Sequence, residues 1–183
     1  MMEVLAALSA SAAAGMRIAL PLLVIGLLRG DKLWFGVPVL SGIPPAIVLG
    51  ILTSGSLIEL FASKNLLGQR LLQVVQLVFS PIVGAIMAIA VTEVTEAPTW
   101  LIGLTGGLFA FVLQLVQVGW CFRWRGLPLW VVFVQDALCV ALVFFAIDAP
   151  QAGGLVALTL LWLAVRSSRN LHRWYLQQRS SRD

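Results

Sequence analysis

The chain has 183 residues, 60% of them apolar and only 11% charged; 12 basic and 8 acidic side chains leave a net charge of +4, and the mean hydropathy is +0.98. Soluble domains run at roughly 45–50% apolar and about 25% charged, so these residues could not cover their own surface in water. A cytosolic enzyme, a disordered chain and a disulfide scaffold are excluded, and a polytopic membrane protein remains.

A helix crossing ~30 Å of hydrocarbon needs about 20 mainly apolar residues. The first such window is 4–28. It reads as a permanent span rather than a cleaved signal, because Glu3 stands where a signal is basic and Arg17 interrupts the apolar run. Residues 30–42 carry Leu33, Trp34, Phe35, Val37 and Leu40, too apolar for a free loop, and are expected in the outer interface. Further windows follow at 43–61, 71–91, 100–121 and 127–147. The last, 149–165, is short, but Arg166 and Arg169 can snorkel to extend it. The expected fold is an all-α integral membrane protein of about six transmembrane helices over residues 1–165. A basic, amphipathic cytoplasmic tail, 166–183, would lie on an anionic leaflet.

Lys and Arg in the connections set orientation. With a cytoplasmic N-terminus, the inner side holds Lys64, Arg70, Arg123, Arg125, Arg166, Arg169, Arg173, Arg179 and Arg182, against Arg29 and Lys32 outside. Nine against two predicts both termini inside. Six of the seven tryptophans fall at the predicted boundaries, where indole prefers to sit; Trp162 does not. The basic tail lacks the reading or stacking groups of a nucleic-acid surface, so no nucleic-acid partner is expected.

Gly42-Ile-Pro44 and Gly126-Leu-Pro128 open the second and fifth windows, and Pro81-x-x-Gly84 echoes Pro150-x-x-Gly153. These echoes allow two inverted three-helix halves, 1–92 and 98–165, or coincidence.

Charged groups inside a membrane are costly and mark either function or packing. At ~1.5 Å per residue from the inner boundary, Arg17 lies ~20 Å deep, Asp136 ~14 Å and Glu59 ~3 Å. Arg17 and Asp136 are therefore expected to pair between the first and fifth spans, with Glu59 too shallow to join them and closer to Lys64 or Arg70. Pro21 removes the hydrogen bond to the Arg17 carbonyl and Gly15 precedes it, so charge and helix weak point coincide. Pro81 and the run Thr53-Ser54-Gly55-Ser56 are further soft points. Gln69, Gln73, Gln76, Ser80 and Gly84 share one helical stripe, and Gly103, Gly107, Ala110, Gln114 and Gln117 another. Both stripes should face protein, either lining a vestibule open to the cytoplasm or serving as interhelical glue.

No cofactor is expected: Cys121 and Cys139 lack metal spacing, and no phosphate-cradling loop or catalytic set assembles around the single His172. An enzyme is not the expected class.

The order of Gly15-Met16-Arg17 with Pro21, Glu59-Leu60-Phe61-Ala62-Ser63-Lys64, Ser80-Pro81 with Gly84-Ala85, and Leu127-Pro128 with Gln135-Asp136 resembles a bacterial membrane family known only as domain of unknown function 4126. The resemblance covers most of residues 3–175 and implies no activity. Members often carry Ala-Asp-Lys and then Pro and Asp near the second span; here Ala62-Ser63-Lys64 is followed by Gln69-Arg70. Members also tend to have Glu where Gln135 stands. Both departures remove carboxylates, which counts against proton or cation handling at those positions.

The leading expectation is a small transporter or channel-like protein of a bacterial inner or internal membrane. Its site would hold Arg17 and Asp136, lined by Gln76 and Gln114 with Glu59 nearby. Its partners would be the bilayer and an anionic or zwitterionic small solute. The competing expectation is a non-transporting structural or assembly subunit, with a membrane-protein partner or homo-oligomer.

Overall fold

The computed structural model describes residues 2–28, 44–62, 66–92, 98–124 and 129–180. Among these residues all regular structure is helical: α1 (Met2–Ala14), α2 (Ala19–Leu28), α3 (Pro45–Ala62), α4 (Leu66–Val91), α5 (Thr99–Trp124), α6 (Leu129–Asp148) and α7 (Pro150–Ser180). The interfacial reading of 30–42 and the connections holding Lys64, Glu93 and Glu96 lie outside the described residues.

Among the described residues three helices are long and apolar enough to cross a membrane, within Gly68–Val91, Thr99–Trp120 and Trp130–Asp148; Met2–Ala14, Ala19–Leu28 and Ala46–Ala62 are apolar but shorter. The first window is therefore not one span. It breaks at Gly15–Ile18 into α1 and α2. The sixth window and the basic tail are instead one uninterrupted 31-residue helix, ~46 Å long. The run at Thr53–Ser56 stays helical, as does Pro81 inside α4.

Polarity is reversed from that of a soluble protein. Leu71 is 70% exposed and Ile51, Val78, Leu104 and Trp130 also face outward, while Arg17, Glu59, Gln73, Gln76 and Gln114 are buried. An apolar exterior around a polar interior suits a bilayer, where lipid replaces water as solvent.

At the centre stands α1. Its Ala6, Ala7, Ala10, Ala12, Ala13 and Ala14 are buried, and Ser9 and Ser11 are wholly enclosed. Small side chains let α4, α5, α6 and α7 all pack against it. Side-chain hydroxyls fasten it to neighbouring backbone: Ser9 Oγ donates to the Leu142 carbonyl at 2.7 Å and Ser11 Oγ to that of Gly84 at 3.2 Å. The Cys139 thiol donates to the Ala13 carbonyl at 3.4 Å.

These contacts fix direction. Residues 9, 13 and 16 of α1 meet residues 142, 139 and 135 of α6, so the two helices are antiparallel. Ser9 faces Gly153 and Leu5 faces Gly154 at the start of α7, while Met16 shares a cleft with Leu160 and Ala164 further along it, so those helices are parallel. We call the end where α4 begins and α5 finishes, beside Arg70 and Arg166, the basic end. Met2 lies at the opposite end, 3.4 Å from Gln151 by its sulfur.

Within the bundle the start of α1 and the end of α7 lie at opposite ends, whereas the charge count expected both termini on one side. Counting Lys and Arg registers only charged connections, and α1 enters without a basic residue. Cysteines placed at Met2 and at Gln151 in a chain otherwise free of cysteine should react with an impermeant maleimide from the same face, and Arg166→Cys from the other. Labelling of positions 2 and 166 from one face would refute this arrangement.

Candidate functional site

The break between α1 and α2 comes from the sequence Gly15-Met16-Arg17-Ile18 followed by Pro21. The last turn of α1 tightens, with the Met16 and Arg17 amides both donating to the Ala13 carbonyl at 3.0 and 3.1 Å. Gly15 is required by space: a Cβ would sit 2.8 Å from the Ala110 carbonyl oxygen. Pro21 falls in the first turn of α2, where its missing N–H leaves no carbonyl unpaired. The Met16 carbonyl, freed at the break, accepts from Gln135 Nε2 at 2.8 Å.

Arg17 projects from this break and is almost fully buried. Its Nε lies 2.7 Å from Asp136 Oδ1. The pair expected from depth alone is therefore present, between the broken first segment and α6.

Glu59 departs from expectation. It is buried, interacts electrostatically with Arg17, and its Oε1 accepts from Gln76 Nε2 at 3.3 Å and, at the 3.5 Å limit, from the Ala19 amide. The depth estimate assumed straight helices sharing one baseline. Because α1 descends toward the basic end and stops, Arg17 comes down to the level of Glu59. The carboxylate also sits at the N-terminus of α2, where the helix dipole favours negative charge. Gln114 Nε2 donates in turn to Gln76 Oε1 at 3.4 Å, giving the order Gln114, Gln76, Glu59. All five residues proposed from sequence thus converge around one helix break.

Two small cavities flank Arg17. One of about 90 Å³ is bounded by Arg17, Ser56, Glu59 and Asp136. The other, about 30 Å³, lies toward the basic end between Arg17, Gln69, Gln73, Gln76, Gln117 and Gln135. At ~30 Å³ per water molecule they have room for roughly three waters and one. The carbonyl oxygens of Gln73 and Gln114 are buried with no hydrogen-bond partner among the described residues. Buried acceptors are normally satisfied, so each calls for a donor from water or solute.

Ser56 and Gln135 were not selected as site residues from sequence. Gln135 gave one signal, a polar residue directly before an intramembrane Asp. Ser56 gave none that separates it from the hydroxyls around it. Among the described residues no group of three or more His, Cys, Asp or Glu side chains is placed to hold a metal ion.

A family model described as domain of unknown function (DUF4126) matches residues 4–170. The chain belongs to this family. The match takes in all but the first two residues of α1, the whole of α2 to α6 and the first two-thirds of α7, and so includes every residue of the Arg17 site. No curated protein and no solved structure matches the chain. DUF4126 thus supplies a family and no activity.

Proposed function

We propose that the chain is a small membrane transporter or channel-like protein whose solute meets the protein at the Arg17 break, in a bacterial inner or internal membrane with the basic end cytoplasmic. The observation that carries this is an ion pair with its arginine buried, set at a helix interruption and bordered by cavities on two sides. Interrupted helices occur at membrane depth where they line polar cavities, and solute sites are built there. An ion pair serving only as glue needs neither the flanking space nor the unpartnered glutamine acceptors. A guanidinium lying between two carboxylates suits a small zwitterion better than a simple anion, which would meet repulsion from Asp136 and Glu59. We assign these groups no catalytic step.

Purified protein in liposomes should accelerate entry of a labelled small zwitterion such as glycine over acetate. Gln73→Leu, which lines the cavity without touching the ion pair, should cut that flux several-fold while the protein accumulates normally. Flux no higher than in protein-free vesicles for every zwitterion and anion tried, with Gln73→Leu unaltered in all respects, would leave only a structural subunit.

A further inference from the structure

A larger cavity than either of those flanking Arg17 lies away from the ion pair. It is a cleft of about 230 Å³ between α5, α6 and α7, walled by Leu113, Val116, Trp120, Leu138, Leu160 and Ala164. Leu163 and Val134 on its border are about half exposed, so the cleft opens on the outer surface of the bundle rather than into its interior. Its floor is formed by Met16, Gln117 and Gln135. The last two also wall the small polar cavity beside Arg17.

From these features we infer that the cleft is an acyl-chain site for a phospholipid of the leaflet at the basic end. Size selects a chain: ~230 Å³ is the room of about eight waters at ~30 Å³ each, far below the bulk of a helix ~10 Å across. Chemistry selects hydrocarbon, since apart from the two floor glutamines the walls are apolar. Position selects a membrane lipid. At the mouth, the Trp120 indole N–H donates to Ser167 Oγ at 2.6 Å, and at the same level of α7, beside the cleft, the Arg166 guanidinium lies 5.0 Å over the Trp162 ring. Indole and guanidinium at one level mark the headgroup boundary. Arg166 is exposed one turn beyond the cleft-lining Leu163, at the level where a lipid phosphate would lie and within reach of a headgroup there.

Filled in this way, the cleft keeps bulk lipid and water from the back of Gln117 and Gln135, and so closes the polar cavity on its membrane side. The site depends on the chain lying in a bilayer and is independent of whether it transports a solute.

Native mass spectrometry tests this on full-length protein released from vesicles of equal phosphatidylglycerol, phosphatidylethanolamine and phosphatidylcholine. The expected result is one phospholipid retained per chain after detergent removal, with phosphatidylglycerol enriched. Ala164→Leu and Leu160→Trp, which fill the cleft, should each lower the lipid-bound fraction at least five-fold, while Leu71→Trp on an exposed face of α4 leaves it unchanged. Arg166→Gln should keep the bound lipid and abolish the headgroup preference. No retained phospholipid in the wild type, or retention equal in Ala164→Leu and wild type, overturns the proposal. Ala164→Leu is the smaller change, so it decides the matter if Leu160→Trp does not fold.

Discussion

Arg17→Gln is expected to destabilise the protein by about 3 kcal/mol, because it strands the partly buried Asp136 carboxylate that now lies 2.7 Å from Nε. Asp136→Asn should cost less, about 1–3 kcal/mol, because the Glu59 carboxylate still faces the guanidinium. The double variant should be milder than Arg17→Gln alone, since two neutral amides can share a hydrogen bond in the same space. Equilibrium unfolding in mixed micelles supplies all four corners of the cycle, and a coupling energy of a few kcal/mol is expected. Glu59 adds a second arm. As it also interacts with Arg17, Glu59→Gln should be less damaging in the Arg17→Gln background than in the wild type. Losses that simply add would mean that the three groups are neighbours without being partners.

The outcome at this cluster shows what a sequence can reveal about a membrane interior. The Arg17–Asp136 pair was legible because charge is scarce at that depth and expensive when alone, so two opposite charges at similar depth have few other choices. Gln76 and Gln114 were legible because helical periodicity put each on a polar stripe of its own helix. Glu59 was misplaced by a geometric assumption, not a chemical one. Depth was counted along helices that cross the bilayer from alternating sides, whereas α1 enters from the side opposite the basic connections and stops midway. Nothing in its composition announces this, for an alanine-rich segment suits a half-helix buried in protein as well as a full span in lipid. The signal that did exist was the smallness of its side chains: Ala6 to Ala14 would be a weak lipid-facing surface, and they make a good centre for helices packed on every side.

Orientation and order were therefore separable. Charge in the connections correctly grouped the basic ends of α4, α5 and α7, because those helices follow one another by short links through alternating faces. It could not register α1, which is joined to the rest through a break and a long connection. The tail after Val165 poses the converse case. Its charge pattern suggested a separate surface element, yet no Gly or Pro follows Gly154 to end the helix, and α7 continues through it.

The packing around α1 makes Gly106 a sensitive position outside the ion pair. Here α1, α4 and α5 meet: a Cβ on Gly106 would lie 2.5 Å from Ala88 Cβ, 2.6 Å from Ser11 Oγ and 2.9 Å from the Gly84 carbonyl oxygen. One of these is backbone and another is a serine already committed to two carbonyls, so neither can swing aside. Gly106→Leu must push α4 away from α5 and displace α1, at a cost of about 3 kcal/mol or more. Because α1 carries Arg17 at its end, the same shift should disturb the ion pair, so the loss should shrink when Arg17→Gln and Asp136→Asn are already present. Gly103 differs although it belongs to the small-residue spacing visible in the sequence. Its nearest neighbour is the flexible end of Ile89 at 3.1 Å, and Gly103→Ala should cost under about 1 kcal/mol. Gly119 has nothing within 4 Å, so Gly119→Ala should be neutral or stabilise by up to about 1 kcal/mol through helix propensity. Unfolding midpoints in mixed micelles measure the series, and a Gly106→Leu protein as stable as Gly103→Ala would show that α1, α4 and α5 do not meet where these contacts place them.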